Sequence, residues 1–182
     1  MEAEPGFAVI FIVNMLCRCQ PKPEVLMDPK FAVLVDTLAP KLQCLLTAVP
    51  LRYGQLPIGM PTSGVYLFSE AGRHLYVGRS NGLRARYGRH CRPGATHRQA
   101  SFAFQLARQS TGRVVASYRA DEDSRANLIL DPVFLAAFTA AKERIRAMEY
   151  RYVEEADQNR QALLEIYCAV VLSTPYNDFR TH

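Results

Sequence analysis

Residues 64–78 read GVYLFSEAGRHLYVG, and the fold turns on how this stretch is read. Two short runs rich in β-branched and aromatic residues, 64–68 and 73–77, flank Ser69, Glu70, Ala71 and Gly72. Such runs around a glycine-containing break predict the two strands of an antiparallel hairpin. A three-residue loop, Glu70-Ala71-Gly72, with Gly72 in the left-handed position, would pair Ser69 with Arg73 and set Tyr66 directly opposite Tyr76. Two facing tyrosines are either a plain aromatic cross-strand pair or part of a site, and the hairpin alone leaves both open.

Downstream the apolar period lengthens. Ser80 or Asn81 is placed to cap a helix running to about His90, with Arg86 and His90 four residues apart on one face. A second helix is predicted from Arg98 to Gln109, stopped by Ser110-Thr111-Gly112, and Asp131-Pro132 opens a third through Ile145. Met148, Tyr150 and Tyr152 alternate within residues 147–154, which predicts a strand, and a last helix runs from Asp157 to Leu172. Phe102, Phe104 and Leu106 read as core rather than as a stacking platform for bases.

Upstream, Asp28-Pro29 reads as an N-cap with proline in the first turn of an amphipathic helix. Its stripe of Phe31, Leu34, Val35, Leu38, Leu42, Leu45, Leu46 and Val49 must be buried, against the following domain or a second copy in a homodimer, and a kink is expected at Pro40. Residues 50–62 hold three prolines and two glycines and read as a linker. Residues 1–27 read as a leader without a decisive pattern. The apolar run at residues 7–13 is too short for a bilayer, and Glu2 and Glu4 argue against a signal peptide, so neither a membrane span nor secretion is expected.

Charge is uneven along the chain. The net charge is +5, yet residues 71–120 hold ten Arg and no Asp, Glu or Lys. A stretch of this kind repels itself unless an anion lies near, and arginine suits the forked recognition of phosphate oxygens. A solvated basic face would also account for it. Five cysteines, at 17, 19, 44, 91 and 168, lack paired spacing and predict neither a disulfide framework nor a zinc site, so the reducing cytoplasm is the expected compartment.

Between Gln161 and Asn177 the one charged side chain is Glu165, set among Leu163, Leu164, Ile166, Tyr167, Cys168 and further apolar residues. A carboxylate so placed either lies on a narrow solvent-facing stripe or is partly buried and needs a cation, an arginine or a metal ion, beside it.

The residues assembled so far resemble the GIY-YIG nuclease superfamily. Gly64-Val65-Tyr66, then Tyr76-Val77-Gly78, then Asn81-Gly82-Leu83-Arg84-Ala85-Arg86 and His90 are similar to the opening of that domain. Glu165, twelve residues before the Asn177 of Thr174-Pro175-Tyr176-Asn177, is similar to its closing half. The resemblance spans residues 63–182, so the expected division is a leader at 1–27, a helix and linker at 28–62, and the nuclease-like domain at 63–182. It implies an α+β fold with a three-stranded antiparallel sheet flanked by helices, here with an N-terminal helical extension. It implies a DNA endonuclease with one Mg²⁺ or Mn²⁺ ion bound through Glu165. Tyr66 would be the general base and Tyr76 would hydrogen-bond phosphate or water. Arg86 would stabilise transition-state charge, and His90 would have a secondary catalytic role. Asn177 would hold the site through bonds to substrate or backbone. Arg79, Arg84 and Arg89 would contact phosphates of double-stranded or branched DNA. The interval from Arg86 to Glu165 is longer than the family's usual one, which implies added helical stretches within residues 92–145. A binding module without catalysis and a protein-interaction domain are the competing readings.

Overall fold

The computed structural model describes residues 27–114, 123–177 and 179. In chain order the elements are α1 (Pro29–Val35), α2 (Leu38–Thr47), β1 (Gly64–Glu70), β2 (Arg73–Ser80), α3 (Leu83–Cys91), α4 (Ser101–Thr111), α5 (Arg125–Leu128), α6 (Pro132–Ala147), β3 (Glu149–Glu154) and α7 (Gln158–Val171). The fold is α+β: three antiparallel strands in the order β2-β1-β3, with helices on both faces.

The central strand explains the architecture. Alternate side chains of β1 point to opposite faces, and both faces are covered, so its apolar run is almost unbroken. Tyr66 and Phe68 pack with Tyr150 against Tyr87, Phe102, Phe104 and Phe134 of α3, α4 and α6. Val65 and Leu67 pack with Val77 against Leu38, Leu42 and Leu45 of α2 and Leu164, Cys168 and Ala169 of α7. Of the N-terminal stripe, Leu38, Leu42 and Leu45 are buried on the chain's own sheet and Leu34, Val35 and Leu46 are half-buried, while Phe31 and Val49 stay exposed. The stretch read as a linker also joins the sheet's outer edge, where Leu51 and Tyr150 exchange two backbone hydrogen bonds of 2.8 Å.

Three local expectations are corrected. The hairpin turn has two residues, not three: Ala71 (φ 49°) and Gly72 (φ 75°) both take left-handed conformations, and Glu70 pairs with Arg73. A bulge between Phe68 and Ser69 then sets Phe68 opposite Tyr76 and Tyr66 opposite Gly78. The helical break falls at Asp36 and Thr37 rather than at Pro40, because the proline ring clashes with the carbonyl four residues before it. Pro40 then sits in the first turn of α2, where its missing N–H costs little. Strand β2 continues to Ser80, so α3 starts at Leu83 with Gly82 as N-cap, and the Ser80 hydroxyl instead accepts from Gly82 N at 2.9 Å.

Other ends follow their signals. Asp131 and Asp157 cap α6 and α7 through side-chain oxygens, and Gly112 ends α4 in the left-handed conformation. The one-turn α5 was not foreseen. Its Ser124 cap accepts from Asn127 N at 3.2 Å. Among the described residues no helix is long and apolar enough to cross a membrane.

Candidate active site

Tyr66 stands at the centre of the sheet and is 1% exposed. Its ring lies over Gly78 on the neighbouring strand, where a Cβ would fall 2.3 Å from the Tyr66 hydroxyl. Any other residue at 78 would push the phenol away. Gly64 meets a harder wall, since a Cβ there would fall 2.1 Å from the Val153 carbonyl oxygen of β3. The two glycines that frame the hairpin thus have distinct steric reasons.

From α3, Arg86 and His90 reach the same hydroxyl because they lie one turn apart on a single face. Arg86 Nε donates to Tyr66 Oη at 3.1 Å, and His90 Nε2 lies 2.8 Å from it. With Arg86 donating, the phenol's own proton is free to go to His90 Nε2. That tautomer leaves Nδ1 carrying a proton, and Nδ1 has no hydrogen-bond partner among the described residues. Arg86 is further anchored by Gln99 O at 3.2 Å and Ser101 Oγ at 3.3 Å. Tyr76, partly buried, lies flat on Phe102 with centroids 4.6 Å apart and is 6.3 Å from the Tyr66 ring.

Burial dominates the electrostatics of this cluster. It pushes the Tyr66 hydroxyl far above the ordinary tyrosine value, with the Tyr76 phenol adding to the rise and Arg86 opposing it. The lowering by arginine is therefore present but outweighed. Burial, then the Arg86 charge, hold His90 well below its ordinary value of 6.5. At neutral pH the pair is a neutral phenol against a neutral imidazole.

This has a consequence for stability. Because the folded pKa of His90 lies below the unfolded one, the unfolded chain binds the extra proton, and stability must fall as pH drops below 6.5. The expected slope from this residue is about 1.4 kcal/mol per pH unit, reached within a unit or so below that value. His74 and His97 are depressed in the same sense, each chiefly by burial, so the quantity to measure is a difference. Urea midpoints between pH 7.5 and 5 should show a shallower decline for His90→Gln than for the parent chain. Identical slopes would mean His90 is not held neutral by the fold.

Glu165 enters from α7, on the sheet's other side, and meets Arg79 of β2, with Arg79 Nε to Glu165 Oε2 at 3.0 Å. The side chains are 21% and 45% exposed, so the carboxylate is partly buried and an arginine compensates it. Burial raises its pKa, while Arg79 and then Arg86 oppose the rise. The Glu165 charge adds only the smallest of the effects on the Tyr66 hydroxyl, and the carboxylate's hydrogen-bond partner is Arg79. Among the described residues no three His, Cys, Asp or Glu side chains gather as a metal cage. One half-open carboxylate is nevertheless a donor set that suits Mg²⁺, which keeps several waters and shares substrate oxygens.

Asn177 is spent on the backbone. Its Oδ1 accepts from Val77 N and its Nδ2 donates to Val77 O, both at 2.8 Å, while Thr174 Oγ1 also donates to Oδ1 at 2.8 Å. Strand β2 is an edge, and this side chain completes its pairing as a further strand would. Of the two roles anticipated for Asn177, the backbone one is realised.

The remaining arginines separate. Arg79 is paired with Glu165, and Arg89 is exposed on α3. Arg84 lies about 160° around the helix from Arg86. There it donates to Pro57 O and lines a groove of about 590 Å³ with Thr62, Gly88 and Arg92. Three contributors carried no legible signal. Gln99 and Ser101, which hold Arg86, come from the stretch expected to be an insertion. Gln161, 1% exposed, donates to Asn81 Oδ1 at 3.0 Å and ties α7 to the turn that launches α3.

Comparison of the chain with protein-family models, with curated proteins and with solved structures gave no match.

Proposed function

We propose that this chain is a metal-dependent endonuclease of the GIY-YIG type that hydrolyses DNA phosphodiesters. The observation that carries the reading is the Tyr66 hydroxyl held between Arg86 and His90, with Glu165 paired to Arg79 of the neighbouring strand. A phenol, an imidazole, a guanidinium and a carboxylate drawn from three distant segments are more than a sheet needs for packing. They match the order and spacing of the motif resemblance.

In this mechanism the scissile phosphate draws the Arg86 guanidinium away from Tyr66 Oη. The lone pair so released accepts a proton from the attacking water, while the phenol's own proton passes to His90 Nε2. Charging a buried imidazole is costly, and moving the Arg86 charge onto a phosphate removes one of the two causes that hold His90 neutral. Arg86 then faces the oxygens on which negative charge develops. Tyr76, beside Tyr66 and partly open, would hydrogen-bond the phosphate or the water. Glu165 would hold one Mg²⁺ or Mn²⁺ ion, which supplies Lewis-acid stabilisation of the same oxygens or of the leaving group. Arg79 and Arg89, with Arg84 on the far flank of α3, would supply phosphate contacts. The cytoplasm is the compartment that suits the free thiols of Cys44, Cys91 and Cys168.

The deciding experiment incubates supercoiled plasmid with the protein and Mg²⁺ or Mn²⁺, beside an EDTA arm. Nicked and linear products that vanish with EDTA are expected. Salt-sensitive binding without cleavage of plasmid, branched or single-stranded DNA would replace the enzyme with a non-catalytic nucleic-acid module.

A further inference from the structure

Glu165 Oε2 is already held by Arg79 Nε at 3.0 Å, and the same carboxylate is the one to which the proposed function assigns a divalent cation. A guanidinium and a divalent ion cannot both sit against one carboxylate without repelling each other. Arg79 is well suited to yield. It extends from an edge strand, its side chain is 45% exposed, and exposed ion pairs are weak. Once displaced it has no second acid to turn to nearby in sequence, because residues 71–120 contain none. Glu165 is its one ion-pair partner among the described residues. An anion from outside the chain is the natural new partner.

We propose that Arg79 couples the two ligands of the site by exchange. Cation binding at Glu165 releases the guanidinium to a DNA phosphate, and phosphate binding by Arg79 frees the carboxylate for the cation. The coupling is reciprocal, as linkage between two binding events requires. This inference rests on the proposed function and assigns Arg79 a control role in addition to phosphate contact.

Two measurements test it without cleavage. Mn²⁺ binding followed by electron paramagnetic resonance, in the absence of DNA, should be about two- to five-fold tighter for Arg79→Ala than for the parent chain, the worth of an exposed ion pair. Arg79→Lys should fall between them. The salt dependence of binding to a short labelled duplex, read by fluorescence anisotropy, should steepen by about one counterion when Ca²⁺ replaces EDTA, and Arg79→Ala should lose that increment. Equal or weaker Mn²⁺ binding by Arg79→Ala, with Glu165→Gln still abolishing it, would overturn the exchange and leave the proposed metal site standing. Mn²⁺ binding that is absent from the parent chain, or that survives Glu165→Gln, would overturn the metal site and the exchange together.

Discussion

Glu165→Gln is expected to lower plasmid cleavage by about a thousand-fold while leaving the fold intact. The amide keeps the size and the acceptor oxygen that Arg79 Nε meets at 3.0 Å, but it removes the charge that would hold a divalent ion. Metal stabilisation of a phosphoryl transition state supplies several kcal/mol, and each 1.36 kcal/mol is a tenfold change in rate, which gives the expected size. Single-turnover cleavage measures the loss, and a thermal melt beside it checks the fold. Burial already disfavours the charged carboxylate, so neutralising it should cost little stability. A variant that melts like the parent and cleaves within tenfold of it would remove Glu165 from the chemistry.

Tyr66→Phe carries the second large effect. Losing one hydroxyl strips the partner from His90 Nε2 and one acceptor from Arg86 Nε. General-base catalysis by a positioned group is worth roughly 100- to 10,000-fold, and the variant should lose cleavage in that range. It should also be less stable by about 1–3 kcal/mol, because the imidazole, 0% exposed, would then have neither ring nitrogen bonded. A drop of several degrees in Tm should accompany the loss of rate, with DNA affinity little changed since the hydroxyl is buried. Retained cleavage would show that the buried phenol only supports packing and that the base lies elsewhere, with Tyr76 next to be tested.

Much of the site was legible in the chain, for reasons that differ residue by residue. Arg86 and His90 four apart on a helix share a face wherever that helix packs, so their partnership could be read directly. The isolation of Glu165 among apolar residues pointed either to a narrow solvent-facing stripe or to a compensated carboxylate, and left open whether arginine or metal would compensate it. The steric need for glycine at 64 and 78 was hidden, because it comes from Val153 on a strand far along the chain and from the Tyr66 ring. Support from Gln99 and Ser101 was hidden too. Their segment resembles nothing in the motif and meets Arg86 only after α4 has docked.

The hairpin was the instructive miss. The β-branched and aromatic runs located both strands and their apolar character, but they did not settle whether two or three residues make the turn. Ala71 in a left-handed conformation is unfavourable by local preference. The register that results buries Leu75 at the bulge and lays Gly78 under Tyr66, and this packing outweighs the strain.

What the sequence determined by itself is what short-range physics controls: helix starts at Asp131 and Asp157, the stop at Gly112, the β-rich runs of the hairpin and the alternation of β3, and the Arg86–His90 face. Caps, periods and turn residues act over a few positions and do not wait for the rest of the chain. Tertiary structure alone decided that the N-terminal helices cover the second sheet face, that Asn177 closes the edge of β2, and that Arg79 rather than solvent meets Glu165. Each of these joins segments dozens of residues apart, and such contacts are chosen by the burial of whole faces, which no local stretch encodes.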